Sequence, residues 1–151
     1  MKAVLQRVTH SSVTVDDKII GKTAEGFLIL LGVEKGDDQK EAQALARKIA
    51  GLRVFCDEND KMNLSLADIN GGVLVISNFT LCADCRKGRR PSFDNAALPD
   101  EANSLYEYFC TCLREQGVAF VEQGEFGADM KVSLLNDGPV TLIIDSRELA
   151  K

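Results

Sequence analysis

The 151-residue chain carries 18 Lys and Arg against 23 Asp and Glu, a formal net charge of −5. That balance excludes a protein that coats nucleic acid nonspecifically, while leaving room for a local basic patch. The length fits a single domain over 1–151 with a sizeable core. Seven Phe, two Tyr and no Trp mean that this core rests on Val, Ile, Leu and Ala. No apolar run reaches transmembrane length and the stretch from Met1 to Arg7 has no signal-peptide apolar region, so a cytoplasmic protein without membrane contacts is expected. Five cysteines, an odd number without framework spacing, fit reduced thiols in that compartment.

In chain order, Ala3 to Val8, Val13 to Val15 and Lys18 to Ile20, with a turn at Asp16 and Asp17, read as short antiparallel strands of a meander. His10, the only histidine, stands beside Ser11 and Ser12. Neighbours along a strand point to opposite faces, so these three make no catalytic triad and a surface histidine is expected. Gly26 to Val33 is too apolar for either face to meet water and predicts a central strand. Asp38 with Glu41 is a capping-box pattern. Ala42, Leu45, Ile49 and Leu52 then recur at helical spacing, with Gly51 as the stop. A short strand at Val54 to Cys56, a polar turn at Asp57 to Lys61, the run Met62 to Leu66 and the Asn70-Gly71-Gly72 turn follow.

Val73 to Leu81 predicts a buried strand whose apolar half ends at Ser77 and Asn78. Ser77, Asn78 and Thr80 cluster at that end, either as a site on a fixed backbone or as partners for neighbouring loops. Cys82 and Cys85 form a CxxC. A zinc site there needs two more ligands from Cys110, Cys112 or His10, and Cys110 and Cys112 lie two apart in a predicted helix, facing different ways. Free, mostly buried thiols and no metal are expected. Arg86, Lys87, Arg89 and Arg90 put four cations in five residues of an otherwise acidic chain, either a solvated loop or a phosphate-binding patch. Asp100 and Glu101 open a second helix whose apolar face is read as Leu105, Tyr108, Cys112 and Leu113, ending at Gly117. Val118 to Val121 is a further strand.

Two β-type runs, Met130 to Leu135 and Val140 to Asp145, flank Asn136-Asp137-Gly138-Pro139, which reads as the turn of a final hairpin. Pro139 removes a backbone donor and restricts its neighbour. The Gly138–Pro139 bond is either trans, opening an edge strand, or cis, turning the two carbonyls where an ordinary hairpin cannot. Residues 146–151 read as a loose tail.

Ser77 to Leu81 (SNFTL) resembles the SQFTL motif, and Asn136 to Thr141 (NDGPVT) the NxGPVT motif, of the D-aminoacyl-tRNA deacylase (D-tyrosyl-tRNA deacylase) family. Leu5 to Thr9, Leu31 to Lys35, Lys61 to Leu64, Arg90 to Phe93 and Ala128 to Leu134 are similar to family segments in the same order, so the resemblance spans nearly the whole chain. One departure is Asn78, one methylene shorter than the usual Gln. The resemblance implies an α+β fold of mixed, mostly antiparallel sheets rolled into a barrel-like core, with two main helices packed outside. It also implies a metal-free, cofactor-free homodimer acting on the acceptor end of aminoacyl-tRNA. Ser77, Asn78, Phe79 and Thr80 are then the catalytic segment, and a cis Gly138–Pro139 element with Asn136, Val140, Thr141 and Met130 serves substrate binding and chiral selection across subunits. Arg86, Lys87, Arg89 and Arg90 take tRNA phosphates.

No base suited to Thr80 is evident. The expected chemistry is therefore attack by water, with backbone N–H groups around Phe79 and Thr80 steadying the oxyanion and the ribose 2′-hydroxyl assisting. A filter that excludes L side chains by clash cannot sense a missing one, so glycyl-tRNA is an expected second substrate. The rivals are a noncatalytic RNA-binding module using the Arg86 to Arg90 loop and a CxxC redox or zinc protein.

Overall fold

A computed structural model describes residues 1–150. The chain opens on β1 (Lys2–Val15), in which the two strands expected at 3–8 and 13–15 are continuous. Thr9 to Ser12 stay extended, with Ser11 and Ser12 paired to β2 on one edge and β8 on the other, and the Ser11 hydroxyl meets Thr23 Oγ1 at 2.7 Å. Asp16 and Asp17, at φ of 50° and 62°, make the two-residue turn into β2 (Lys18–Thr23). β3 (Gly26–Gly32) returns antiparallel along the first half of β1.

Two crossovers follow. α1 (Gln39–Gly51) starts as its capping pattern predicts, with Asp38 Oδ1 accepting from the Lys40 and Glu41 N–H groups. A small hairpin of β4 (Phe55–Cys56) and β5 (Met62–Leu64) leads to β6 (Gly72–Ser77), parallel to β3. α2 (Pro99–Glu115) then carries the chain to β7 (Phe120–Gln123), parallel to β6. The main sheet runs β2-β1-β3-β6-β7, with β8 (Lys131–Asp145) on β1. β2 comes round so close to β7 that a Cβ at Gly21 would lie 2.8 Å from the Gln123 carbonyl. The sheet is thus a nearly closed barrel with the two helices outside, an α+β fold whose pairings are mostly antiparallel.

Strand β3 and the Gly72 to Ile76 stretch of β6 are apolar because both faces are covered. Phe27, Ile29, Leu31, Val73 and Val75 meet Leu45, Ile49, Tyr106 and Phe109 of the helices. Leu28, Leu74 and Ile76 fill the barrel with Val8 and Val13. The buried stripe of α2 is Ala102, Tyr106, Phe109, Cys110, Cys112 and Leu113, whereas Leu105 and Tyr108, expected on it, are half-buried. The difference turns on Tyr106, whose hydroxyl donates to the Val75 carbonyl at 2.7 Å and so can be buried without an orphaned polar group.

Residues 146–150, expected as a loose tail, are held. A 3-10 turn, Ser146–Glu148, follows β8, and Ser146 is buried. Its Oγ accepts from the Met1 α-ammonium at 2.9 Å, Asp37 Oδ1 accepts from the same group at 2.8 Å, and Arg147 pairs with the buried Glu34. Burial raises the Asp37 carboxyl despite the neighbouring ammonium. Lys151 lies outside the described residues.

Nor is there a final hairpin. β8 is one strand of 15 residues, antiparallel to β1 from Lys2↔Asp145 to Thr14↔Lys131. Both apolar runs flanking Asn136 to Pro139 pair with the same neighbour, so the predicted turn is a bulge in a continuous strand. Among the described residues β8 has no partner on its other edge.

Candidate active site

β6 delivers the first site residue, and a change of backbone conformation delivers the rest. The predicted strand to Leu81 stops at Ser77. Asn78 stays extended, its N–H bonded to the Leu31 carbonyl at 2.8 Å, and Phe79–Cys82 wind into a 3-10 turn. Asn78 is the N-cap: its Oδ1 accepts the Thr80 N–H at 3.2 Å and the Thr80 hydroxyl proton as well. A short amide suits this position because its oxygen reaches the N–H two residues on. Asn78 therefore turns back onto its own loop. The Thr80 N–H is thereby engaged, and the Phe79 N–H has no partner among the described residues.

This segment floors a cleft of about 820 Å³ between the end of the barrel and the start of α2. Its wall is mainly apolar and includes Leu30, Ile76, Met130, Val132, Phe93 and Leu98. Ser77, Asn78, Phe79, Thr80 and Met130, all singled out in the sequence, are gathered here. His10 is exposed on β1, its ring Nδ1 3.1 Å from Thr9 Oγ1, and does not line the cleft.

The other candidate residues, Asn136, Gly138, Pro139, Val140 and Thr141, lie in the β8 bulge and do not line the cleft of their own chain. Between the pairs Gln6↔Thr141 and Val8↔Asn136, β1 advances two residues and β8 five. Pro139 has no N–H for the ladder, and the Asn136 side chain substitutes, accepting the Val140 N–H at 3.2 Å and donating to Thr141 Oγ1 at 3.0 Å. The Gly138–Pro139 bond is cis, and Gly138 sits at φ +129°. Beneath the bulge Arg7, 8% exposed, donates through Nε to the Asp137 carbonyl at 3.1 Å and through Nη1 to the Val54 carbonyl at 2.7 Å. The sequence reading passed over Arg7, although a lone cation within the apolar run Ala3 to Val8 signals a buried charge with a dedicated partner.

The basic loop is tied at its neck. Asp84 and Ser92 exchange backbone hydrogen bonds of 2.7 and 2.9 Å, and the Asp84 carboxylate accepts the Arg86 N–H and, bidentately, its guanidinium, with Nη2 at 2.7 Å from Oδ2. The Arg86 guanidinium holds the Asp84 carboxyl at a pKa of about 2, well below the usual range. Arg86 is therefore committed to its own loop, while Lys87, Arg89 and Arg90 are exposed and make no ion pair among the described residues. The two CxxC thiols are in different surroundings. Cys82 is buried, with Sγ donating to the Val33 carbonyl at 3.5 Å, and burial raises its pKa; Cys85 is exposed.

Residues 4–145 match the profile of the family described as D-Tyr-tRNA(Tyr) deacylase. The chain belongs to that family. It is 55% identical over 145 residues to the D-aminoacyl-tRNA deacylase of Pelobacter propionicus, covering 96% of this chain and 99% of the relative. It is also 54% identical over 149 residues to that of Thermosipho melanesiensis, with 99% of both chains covered. Among solved structures it is similar to the "c-Myc DNA Unwinding Element Binding Protein", at a TM-score of 0.90 and 41% identity over 96% of this chain and 98% of the other. A structure titled as a probable eukaryotic D-amino acid tRNA deacylase shares the fold, at a TM-score of 0.81 and 16% identity, over 95% of this chain and 97% of that one.

Proposed function

We propose that this deacylase-family member is a cytoplasmic editing hydrolase that cleaves the ester of D-aminoacyl-tRNA and spares the L-aminoacyl ester. The observation that carries this reading is the division of the two family motifs: one floors an apolar cleft with a spare backbone donor, and the other stands away from that cleft on an unpaired strand edge. In a homodimer the bulge of one copy enters the cleft of the other. Leu135 and Ile143, exposed on β8, would be covered in such an assembly.

Water attacks the ester carbonyl, and the negative charge that develops on the carbonyl oxygen is met by the Phe79 N–H. The bond to the ribose 3′ oxygen then breaks. The proton from water passes to that oxygen, with the adjacent 2′-hydroxyl as its relay. Thr80, whose hydroxyl proton is given to Asn78, positions the substrate and is not the nucleophile. Lys87, Arg89 and Arg90 take acceptor-end phosphates. The Gly138 and Pro139 backbone crowds the place of an L side chain, which excludes L esters by clash and admits D esters and, to a degree, glycyl-tRNA.

The test is hydrolysis of matched D-Tyr-tRNA, L-Tyr-tRNA and Gly-tRNA by the purified protein and by Pro139→Ala. Loss of the D ester with sparing of the L ester, and erosion of that selectivity in the variant, is the expected result. Selectivity unchanged in Pro139→Ala removes the filter from Pro139. A trapped acyl-enzyme would make Thr80 the nucleophile after all. A second reading, a noncatalytic nucleic-acid-binding module using the Arg86 to Arg90 loop, draws on the 41%-identical neighbour whose title names DNA binding. It requires binding indifferent to the attached amino acid, and no turnover.

A further inference from the structure

The solvent face of α1 repeats one sign of charge on a chain whose net charge is −5. Ala42, Leu45, Ala46 and Ile49 turn inward. Lys40, Ala44, Arg47 and Gly51, which recur at helical spacing, therefore form the outer line, with Lys48 beside them. Arg53 follows the helix and is held by Asn63, whose carbonyl accepts from its Nε at 2.8 Å and whose side-chain oxygen accepts from Nη2. Lys40, Arg47, Lys48 and Arg53 are all exposed, and none makes an ion pair among the described residues. Acids in their neighbourhood are otherwise engaged: Asp38 caps the helix, Glu41 is half-buried, and Asp68, which feels Arg53, accepts the Ser65 N–H at 2.9 Å. Arg47, Lys48 and Arg53 border a hollow of about 400 Å³ over Ala44, Gly51 and Leu149. It is open above Gly51, where an added Cβ would meet no atom within 4 Å.

The course of α1 identifies what this face meets. β3 and β6 run parallel and both bring residues to the cleft at their ends, Leu30 from one and Ile76 and Ser77 from the other. α1 carries the chain from the end of β3 back toward the start of β6, so it begins at the cleft end and extends away from it by about 20 Å. Its lead-in is stitched to the segment that follows the basic loop: the Lys35 N–H donates to the Asn95 carbonyl at 2.9 Å, and Glu34 bridges to Ala96. A tRNA with its ester in the cleft continues beyond the acceptor end as a double helix. Such a duplex is held mainly through phosphates and 2′-hydroxyls, whereas single strands need aromatic rings for stacking. Among the described residues no aromatic side chain lines the α1 hollow. Unpaired cations without rings match duplex phosphates.

We infer that the outer face of α1, with Arg47 and Lys48 at its centre, is a second RNA contact that holds phosphates of the tRNA duplex beyond the acceptor end. The inference rests on the deacylase reading, and the experiment separates the two. Binding of uncharged tRNA is followed by fluorescence anisotropy across a salt series. In parallel, kcat/KM is measured for D-Tyr-tRNA and for the D-Tyr ester of adenosine, which has no duplex. The proteins are the wild type, Arg47→Gln, Lys48→Gln, Gly51→Glu and Lys22→Gln, the last an exposed cation on β2 with no ion pair among the described residues. Every variant lowers the net charge by one, so a general field effect moves them together. Arg47→Gln and Lys48→Gln should each reduce the salt slope by about 0.9, which makes the loss of affinity between 50 and 200 mM salt about three- to fourfold smaller. Gly51→Glu, which sets a carboxylate in the hollow without removing a cation, should weaken tRNA binding severalfold at 50 mM salt. For these three the ratio of kcat/KM on D-Tyr-tRNA to that on the adenosine ester should fall. Lys22→Gln should match the wild type in slope and in ratio.

Equal changes in all four variants would mark a general charge effect and overturn the contact. Equal losses on the tRNA ester and the adenosine ester would make the face merely structural and overturn it too. A wild type that hydrolyses both esters, with slopes unmoved by the α1 variants, would leave the deacylase standing and remove the contact. A wild type inert on both esters would remove the deacylase, and with it the substrate tRNA as the partner of α1.

Discussion

The basic loop presents four cations to the sequence and three to a ligand, and salt dependence can count them. Each phosphate neutralised on binding contributes a slope of about −0.7 on single strands and −0.9 on a duplex to a plot of log affinity against log salt. If Lys87, Arg89 and Arg90 each meet a phosphate, the loop contributes a slope of about −2 to −2.7, a loss of about 20- to 40-fold between 50 and 200 mM salt. Arg89→Gln or Arg90→Gln should reduce that loss to about 7- to 12-fold. Arg86→Gln should leave the slope unchanged, because its guanidinium is bound at 2.7 Å to Asp84, although affinity falls if the loop loosens. Asp84→Asn frees Arg86 and should steepen the slope by about one contact. The assay is tRNA binding by fluorescence anisotropy across a salt series. A slope change in Arg86→Gln equal to that in Arg89→Gln would refute the division between strut and ligand.

The strut itself is indifferent to pH in any working range. The paired Arg86 guanidinium lowers the folded Asp84 pKa from the ordinary carboxylate range to about 2, so its contribution is present above that ordinary range and is lost as pH falls through about 2. Loop order, read by a fluorophore on Cys85, should therefore be flat from about pH 5 to 9, a range that begins roughly three pH units above the transition. Gly138→Ala forces a side chain into φ +129° with Cβ 2.9 Å from Val140 Cγ2 and 3.1 Å from Arg7 Nη2. Urea unfolding should show a loss of about 1–3 kcal/mol, together with weakened rejection of L esters. Tyr106→Phe removes the 2.7 Å bond to the buried Val75 carbonyl. A cost of about 1–2 kcal/mol, seen as a fall in melting temperature of about 2–8 °C, is expected with hydrolysis intact. Of the five cysteines, Cys56 and Cys85 alone should react quickly with a thiol reagent at pH 8, since Cys82, Cys110 and Cys112 are buried and burial pushes Cys110 up to about 12.

Local chemistry made much of this protein legible in the sequence. The Asp38 cap, the Asp16-Asp17 turn, the doubly buried run at Gly26 and the helix opened by Asp100 and Glu101 depend on neighbours a few residues away, and each forms where the pattern puts it. The candidate segment Ser77 to Thr80 was legible as an abrupt loss of apolarity in a buried strand. What it does there was not, because the 3-10 turn arises from an Asn78 side chain that folds back onto Thr80. Tertiary structure decided whatever depends on a distant partner. The segment around Gly138 carries the local signals of a turn, yet both of its flanks are claimed by β1, far away along the chain (from Thr14↔Lys131 to Lys2↔Asp145), and it becomes a bulge. Arg7 finds its carbonyls on Asp137 and Val54, Arg86 is paired with Asp84, and residues 146–150 are fixed by the chain's first residue and by Glu34. Local preferences propose a conformation within a few residues; pairing and burial across the chain select among the proposals, because only they satisfy the backbone groups that a buried segment leaves open.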